Sequence, residues 1–229
     1  MTDIYLIRHG QASFGEQNYD RLSSLGIRQS ETLGRWLADS GIRFDAVYSG
    51  ERERQRDTAT IALASSGQSQ LPLLVDAAFN ELDADRLLQY AIPRLVLREP
   101  SLAVMFMDLK GNRDTFRRVF ERVVDEWVEG GWESAGIGRW EDFRRRVFDG
   151  IRHLPARHAS VERIAVFTSG GPITATMQSL SPGAGRGLDW GIANTSITRL
   201  RLDDSGQWQL LGRRETPHLG NADGLLTHL

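Results

Sequence analysis

Apolar positions along this chain fall into short unbroken runs separated by longer periodic stretches. The run DIYLI at 3–7 is β-branched and aromatic and stops at Arg8, which predicts a buried first strand. FDAVYS, ending at Ser49, LPLLV at 71–75 and RIAVFT at 163–168 predict three more. Between them, Leu25, Thr32, Leu33, Trp36 and Leu37 recur at helical spacing and Gly41 follows, so a helix is expected over 25–39. The charged stretch ERERQRDTATIALA reads as a second helix, with Thr58, Ile61, Ala62 and Ser65 on one face and the arginines on the others. After RIAVFT come a helical ITATMQSL and a hairpin, SITRLRL and QWQLLGRR joined by DDSG.

From 84 to 154 the pattern is helical and amphipathic, with breaks expected at Pro93, Pro100, Gly111-Asn112 and the glycine-rich 130–138. This stretch reads as a helical insertion or cap within a single domain of 229 residues. Strands alternating with helices predict an α/β fold: three layers, α/β/α, around a mostly parallel sheet. Within the insertion, LAVMFMDL with Met105, Phe106 and Met107 leaves three uses open: core packing, cover for an apolar part of a substrate, or the contact surface of a homodimer.

Composition narrows the function classes. With 28 basic against 30 acidic residues and no long basic run, nucleic acid is not an expected partner. Lys110 is the sole lysine, so the positive charge is carried by arginine, whose planar fork grips phosphate and carboxylate. The chain has no cysteine, which excludes disulfides and thiol chemistry. MTDIYLIRHG has too short an apolar run for a secretory signal, and no stretch reaches the roughly 18 apolar residues of a membrane span. A cytoplasmic protein with no membrane partner is expected.

In an open α/β sheet, ligands collect beyond the carboxyl ends of the strands. Those positions hold Arg8-His9-Gly10, then Ser49-Gly50 leading to Arg54, then Ser169-Gly170-Gly171-Pro172. A neutral imidazole attacks phosphorus without first losing a proton, and an adjacent guanidinium neutralises the charge that develops. Pro172 suits a first helical turn and leaves the preceding amides free for an anion. Taken singly, each segment reads equally as an ordinary strand end or turn.

Together, LIRHGQAS, YSGERERQRDTA, FNELD, VFTSGG and NTSI resemble the histidine phosphatase superfamily, also called phosphoglycerate mutase-like, in order and spacing over most of the chain. The resemblance implies a phosphorylated nucleophile at His9 and a phosphoryl grip at Arg8. A second arginine, four residues before the family's Thr-Ala pair, falls on Arg54 rather than on Arg52 or Arg56. The acid that protonates the leaving oxygen falls on Glu81.

The chain departs from the family pattern where a second histidine is usual: the aligned residue is Ser169, expected with Gly170 to act as a secondary phosphate donor. Ala12 and Gly15 also replace the family's early Thr and Asn, leaving Ser13 and Gln11 as substitute donors. Of the other histidines, 153, 158, 218 and 228, His218 is the one placed for a tail to bring over a pocket. The expected activity is hydrolysis of a small phosphorylated molecule or a phosphoprotein through phospho-His9, with no cofactor and no metal. Mutase-type phosphotransfer, and phosphate binding in a regulatory protein with weak or no catalysis, are the alternatives.

Overall fold

Side chains along the first strand, β1 (Thr2–Arg8), alternate between two cores, and this alternation sets the layers. The computed structural model describes residues 1–16, 18–103, 112–131, 136–158, 161–181, 188–220 and 224–228. Ile4 and Leu6 pack with Ile164, Val166 and Ile173 on one face of the sheet, while Tyr5 and Ile7 pack with Leu33, Leu37, Ala59 and Ala62 on the other. Burying such an aliphatic side chain is worth roughly 1.5–3 kcal/mol.

The remaining elements are α1 (Ser24–Asp39), β2 (Ala46–Ser49), α2 (Glu53–Ser65), β3 (Leu73–Val75), α3 (Ala84–Arg98), α4 (Arg113–Val128), α5 (Trp140–Arg157), β4 (Arg163–Thr168), α6 (Gly170–Leu180), β5 (Ile197–Leu202) and β6 (Trp208–Glu215). The sheet order is β3-β2-β4-β1-β5-β6. The first four strands are parallel, and the hairpin β5-β6 adds antiparallel to β1. The result is the expected three-layer α/β fold. Arg8 pairs with Thr168 and Ser49 with Phe167, so β1, β2 and β4 end at one edge, and the loops that follow them meet there.

Several local expectations need correction. Pro93 does not break α3, because both it and Gln89, whose carbonyl would lose its partner, face solvent, while Leu87, Ala91 and Leu95 hold the helix from the other side. The buried face of α2 carries Arg54, Gln55, Thr58, Ala59 and Ala62, so one arginine of the charged stretch points inward. Asn112 caps α4 rather than only interrupting it, its side chain accepting from the Thr115 amide at 3.0 Å.

The stretch 84–154 is tied to the rest by α5, which runs on to Arg157. Val147 belongs to a core shared with α3 and α4, while Ile151 and Leu154 lie in the sheet core. Met105, Phe106 and Met107 lie outside the described residues.

The loop leaving β1 rests backbone to backbone on α1. A Cβ on Gly26 would lie 2.2 Å from the Gln11 carbonyl oxygen, and one on Gly10 would lie 2.5 Å from the Gly26 oxygen. Ser23 locks this contact: it caps α1 through the Gly26 amide at 3.1 Å and donates to Gln11 Oε1 at 3.0 Å. Gly26→Ala should therefore cost about 3 kcal/mol, visible as a lower urea midpoint, because neither backbone can yield without displacing His9.

Candidate active site

His9 is the first residue beyond β1 and is 5% exposed. Its amide donates to Thr168 O at 2.8 Å, and its carbonyl accepts from Asn194 Nδ2 at 3.1 Å. The next amide, Gly10, donates to Thr58 Oγ1 at 2.9 Å, and Thr58 in turn donates to Arg54 O at 2.7 Å. Thr195 reaches the Arg8 carbonyl at 3.1 Å from a left-handed conformation, φ 57°, a costly one for a β-branched residue. The backbone around the imidazole is thus fixed by β4, α2 and the segment before β5.

The ring's protonation pattern follows from its partners. Nδ1 lies 2.7 Å from the Gly10 carbonyl oxygen, which can only accept, so Nδ1 carries the hydrogen. Nε2 accepts from Arg54 Nε at 3.1 Å with its single lone pair, which opens to another partner in the pocket only when Arg54 releases that contact. Burial, then the charges of Arg54 and Arg8, hold His9 well below the usual histidine range, against the contrary pull of the Gly10 carbonyl. The imidazole is neutral at physiological pH.

Two guanidinium groups flank it. Arg8 donates through Nη1 to the carbonyls of Ile192 and of His228, the latter at 2.8 Å, while its buried Nε has no hydrogen-bond partner among the described residues. Burial brings Arg8 down to about 10, with Tyr19 and Glu81 opposing and Arg54 reinforcing the shift, so it remains a cation. Arg54 is aimed by Asp20, whose Oδ1 accepts from Nη1 at 2.5 Å and whose Oδ2 accepts from the Glu53 amide at 2.8 Å. One carboxylate therefore anchors the start of α2 and orients the arginine on its first turn. The Tyr19 ring lies 5.6 Å from the Arg54 guanidinium carbon.

Glu81 faces this group across a cavity of about 90 Å³ that Arg8, His9, Arg54, Glu81 and Gly170 all line. Its Oε2 accepts from the Gly171 amide at 3.1 Å and its Oε1 from the Leu82 amide at 2.9 Å. A Cβ at Gly171 would fall 2.1 Å from Oε1, so glycine is what lets the carboxylate rest on the first turn of α6. Ser169 and Ser13 are not brought to this lining. Ser169 is fully buried, and its hydroxyl accepts from Gln55 Nε2 at 2.8 Å; Ser13 is buried beside the α1 entry, its amide donating to Arg21 O at 2.8 Å. Gln11 is buried as well, its amide bound to Gln29 Oε1 at 2.8 Å.

Comparison with known proteins agrees with this frame. Residues 4–125 and 97–216 match the profile of the histidine phosphatase superfamily (branch 1). The chain belongs to that superfamily. It is 27% identical over 203 residues to a 2,3-bisphosphoglycerate-dependent phosphoglycerate mutase of Methylorubrum populi, covering 80% of this chain and 85% of that protein. The same enzyme from a Methylobacterium strain is 35% identical over 86 residues, 35% of this chain and only 41% of the relative's length. Among solved structures, a phosphoglycerate mutase from Bacillus anthracis superposes with a TM-score of 0.66 at 20% identity over 95% of both chains. A mycobacterial glucosyl-3-phosphoglycerate phosphatase superposes with 0.57 at 21% identity over 92% of this chain and 97% of that one. Phosphatases and mutases thus share this fold.

In this superfamily member the chain's last described residues bind back onto the site. Gln29 Nε2 donates to Leu225 O at 2.6 Å and to Thr227 Oγ1 at 2.9 Å, and Thr227 donates to Asn194 Oδ1 at 2.9 Å. His228 rather than His218 comes to the pocket lining; burial, then the charges of Arg8, Arg214 and Arg117, hold it below the usual range. His153 is on α5 with its ring on Asp149 O, and His158 pairs with the Tyr48 hydroxyl at 2.7 Å. Asp20 and Gln29 were not singled out by sequence pattern, and Asn194 and Gln55 entered only inside the segments NTSI and YSGERERQRDTA, without a role. Asp20 lies in the loop after β1, which meets the first turn of α2 where Arg54 sits. No helix among the described residues is long and apolar enough to cross a membrane, and no group of three or more His, Cys, Asp or Glu among them can hold a metal ion.

His218 is buried behind the site, its Nε2 3.0 Å from Thr195 Oγ1 and its Nδ1 without a hydrogen-bond partner among the described residues. Since Thr195 gives its own hydrogen to Asn194 O, Nε2–H is the donor, and a second proton on Nδ1 would be buried unpaired. Burial pushes His218 down to about 4, against about 6.5 in an unfolded chain. A depressed folded value means the unfolded state takes up the proton first, so stability is full above about pH 6.5 and drains as pH falls towards 4. Urea unfolding at about pH 7.5 and about pH 5 should show a loss from this group of about 2 kcal/mol, smaller in His218→Gln.

Proposed function

We propose that the protein is a phosphomonoester hydrolase working through phosphohistidine at His9. The observation that carries this reading is the neutral imidazole whose Nε2 faces a pocket shared with two guanidinium groups, Arg8 and Arg54, and two carboxyls, Glu81 and Asp189. Nε2 attacks phosphorus as the P–O bond to the leaving group breaks, and Glu81, as general acid, delivers a proton to that oxygen. Each Glu81 oxygen keeps a lone pair beyond its amide contact, on which such a proton sits. Glu81 then takes a proton from water as the water oxygen attacks the phosphohistidine and the N–P bond breaks, restoring both groups.

Arg8 and Arg54 hold the phosphoryl oxygens, with Arg54 exchanging its contact to Nε2 for one to phosphate. Gly170, at the opening of α6, adds backbone polarity on the same side. A mutase-type transferase, the activity named for the sequence relatives, must also hold the second end of its intermediate. Arg8 and Arg54 are the guanidinium groups of this lining, and both are taken up by one phosphoryl group.

Incubation with an aryl phosphate followed by acid and base quenching should trap an acid-labile, base-stable phosphoprotein. The label should be absent in His9→Ala, and turnover should drop about a hundredfold or more in Glu81→Gln. Phosphate exchange without release to water would favour the transferase, and tight phosphate or vanadate binding with no turnover would favour a regulatory protein.

We also propose that Ser169, where the family pattern has histidine, serves the site indirectly by seating Gln55 beneath it. The Gln55 amide fills the volume next to the serine hydroxyl, so Ser169→His should lower kcat and the thermal midpoint together. A gain in kcat would show that the pocket is only handicapped by the serine.

A further inference from the structure

A row of aromatic rings runs along one wall of the His9 pocket. Tyr19, beside the Arg54 guanidinium, meets Phe14 at 6.3 Å between centroids, and Phe14 meets Phe116 at 5.3 Å. Phe116 stacks on Phe120 at 5.7 Å, and Phe120 meets the edge of Trp190 at 5.6 Å. Trp190 lies two residues before Ile192, whose carbonyl anchors Arg8. The row therefore spans from one phosphate-facing arginine to the other and draws on the β1–α1 loop, α4 and the segment before β5. Tyr19, Phe116, Phe120 and Trp190 all line the cavity, and none of them is fully buried.

The arginines behind this wall, Arg213 and Arg214, are already paired. Asp189, also in the lining, is held by Arg213 Nη2 and Arg214 Nε, each at 2.8 Å, so those two arginines are turned away onto it. His228 is held below its usual range and brings no positive charge at neutral pH. A carboxylate laid along the wall would lose water and gain no charge partner from the ring faces, a cost they do not repay.

We infer that this site selects phosphomonoesters whose leaving group is apolar and carries an aromatic-sized body, seated on Tyr19, Phe116, Phe120 and Trp190. The inference rests on the proposed hydrolase reading, and it adds the substrate class. The phosphoryl group sits at His9, the ester oxygen faces Glu81, and the organic part lies along the rings. Burying a phenyl-sized group in such a pocket favours it by about tenfold or more over its truncated counterpart.

The test compares phenethyl phosphate with ethyl phosphate, two alkoxide leaving groups of equal charge, and with phosphoglycerate. In the native protein kcat/KM should favour phenethyl phosphate by about tenfold or more over either. Phe120→Leu and Trp190→Leu should each pull that ratio towards one. In parallel, calorimetric titration with phenethylphosphonate and ethylphosphonate reads the wall without turnover and should show the same preference. Turnover of all three esters with no phenethyl preference overturns this inference and leaves the hydrolase reading standing. No turnover of any ester, with the phenethylphosphonate preference intact, overturns the hydrolase reading and leaves the wall as the recognition surface. Equal phosphonate affinities in the native protein overturn the wall in every case.

Discussion

An imidazole buried between two guanidinium groups can rest there only as a neutral base, and the rest of the site is arranged around that constraint. Desolvation and two nearby positive charges act in the same direction on His9, and the Gly10 carbonyl does not outweigh them. That carbonyl does a different job: it claims Nδ1–H and so turns the lone pair of Nε2 towards the pocket. Arg54 then marks where negative charge belongs, since it donates to the very nitrogen that would face an incoming phosphorus. Preorganisation of this kind demands that the backbone under the ring not move.

That rigidity is assembled from groups remote in sequence. Gln29 reads the Gln11 amide with its oxygen and the chain's end with its nitrogen, so the loop after β1 and residues 225–227 share one buried amide. Asn194 closes the circuit by binding His9 O with one end of its side chain and Thr227 with the other. Thr195 stores strain in a left-handed backbone to place its amide against the Arg8 carbonyl. Arg8 itself binds the His228 carbonyl, so the segment 225–228 is tied directly to a residue of the cavity lining.

Strand ends were legible in the sequence because short β-branched runs stop abruptly at Arg8, Ser49 and Thr168, and parallel strands must end at one edge. Arg8, His9, Arg54, Glu81 and Gly170 could be named before any coordinates, and the structure brings these five to one cavity. Periodicity alone misassigned the face of α2, because a pattern that sorts by polarity sends every arginine to solvent while Arg54 is turned inward by Asp20. Ser169 and Ser13 were illegible for a related reason. A hydroxyl next to a strand end can serve a ligand or a neighbour equally well, and only the position of Gln55 shows which way the Ser169 hydroxyl turns. The return of the chain's end to the pocket leaves no periodic signal, since Gln29 and Asn194 hold it by single buried amides.

The neutral pair Gln55–Ser169 has an electrostatic logic of its own. A cationic third side chain beside His9 would push the imidazole still further from protonation and draw electron density from Nε2, the nucleophile of the proposed reaction. It would also have to share a small, water-poor volume with Arg8 and Arg54, where repulsion between like charges is poorly screened. Gln55 and Ser169, outside the cavity lining, bond to each other as dipoles and carry no net charge. Arg8, Arg54, Glu81 and Asp189 already set two positive against two negative side chains around the cavity, and the neutral pair leaves that balance unchanged.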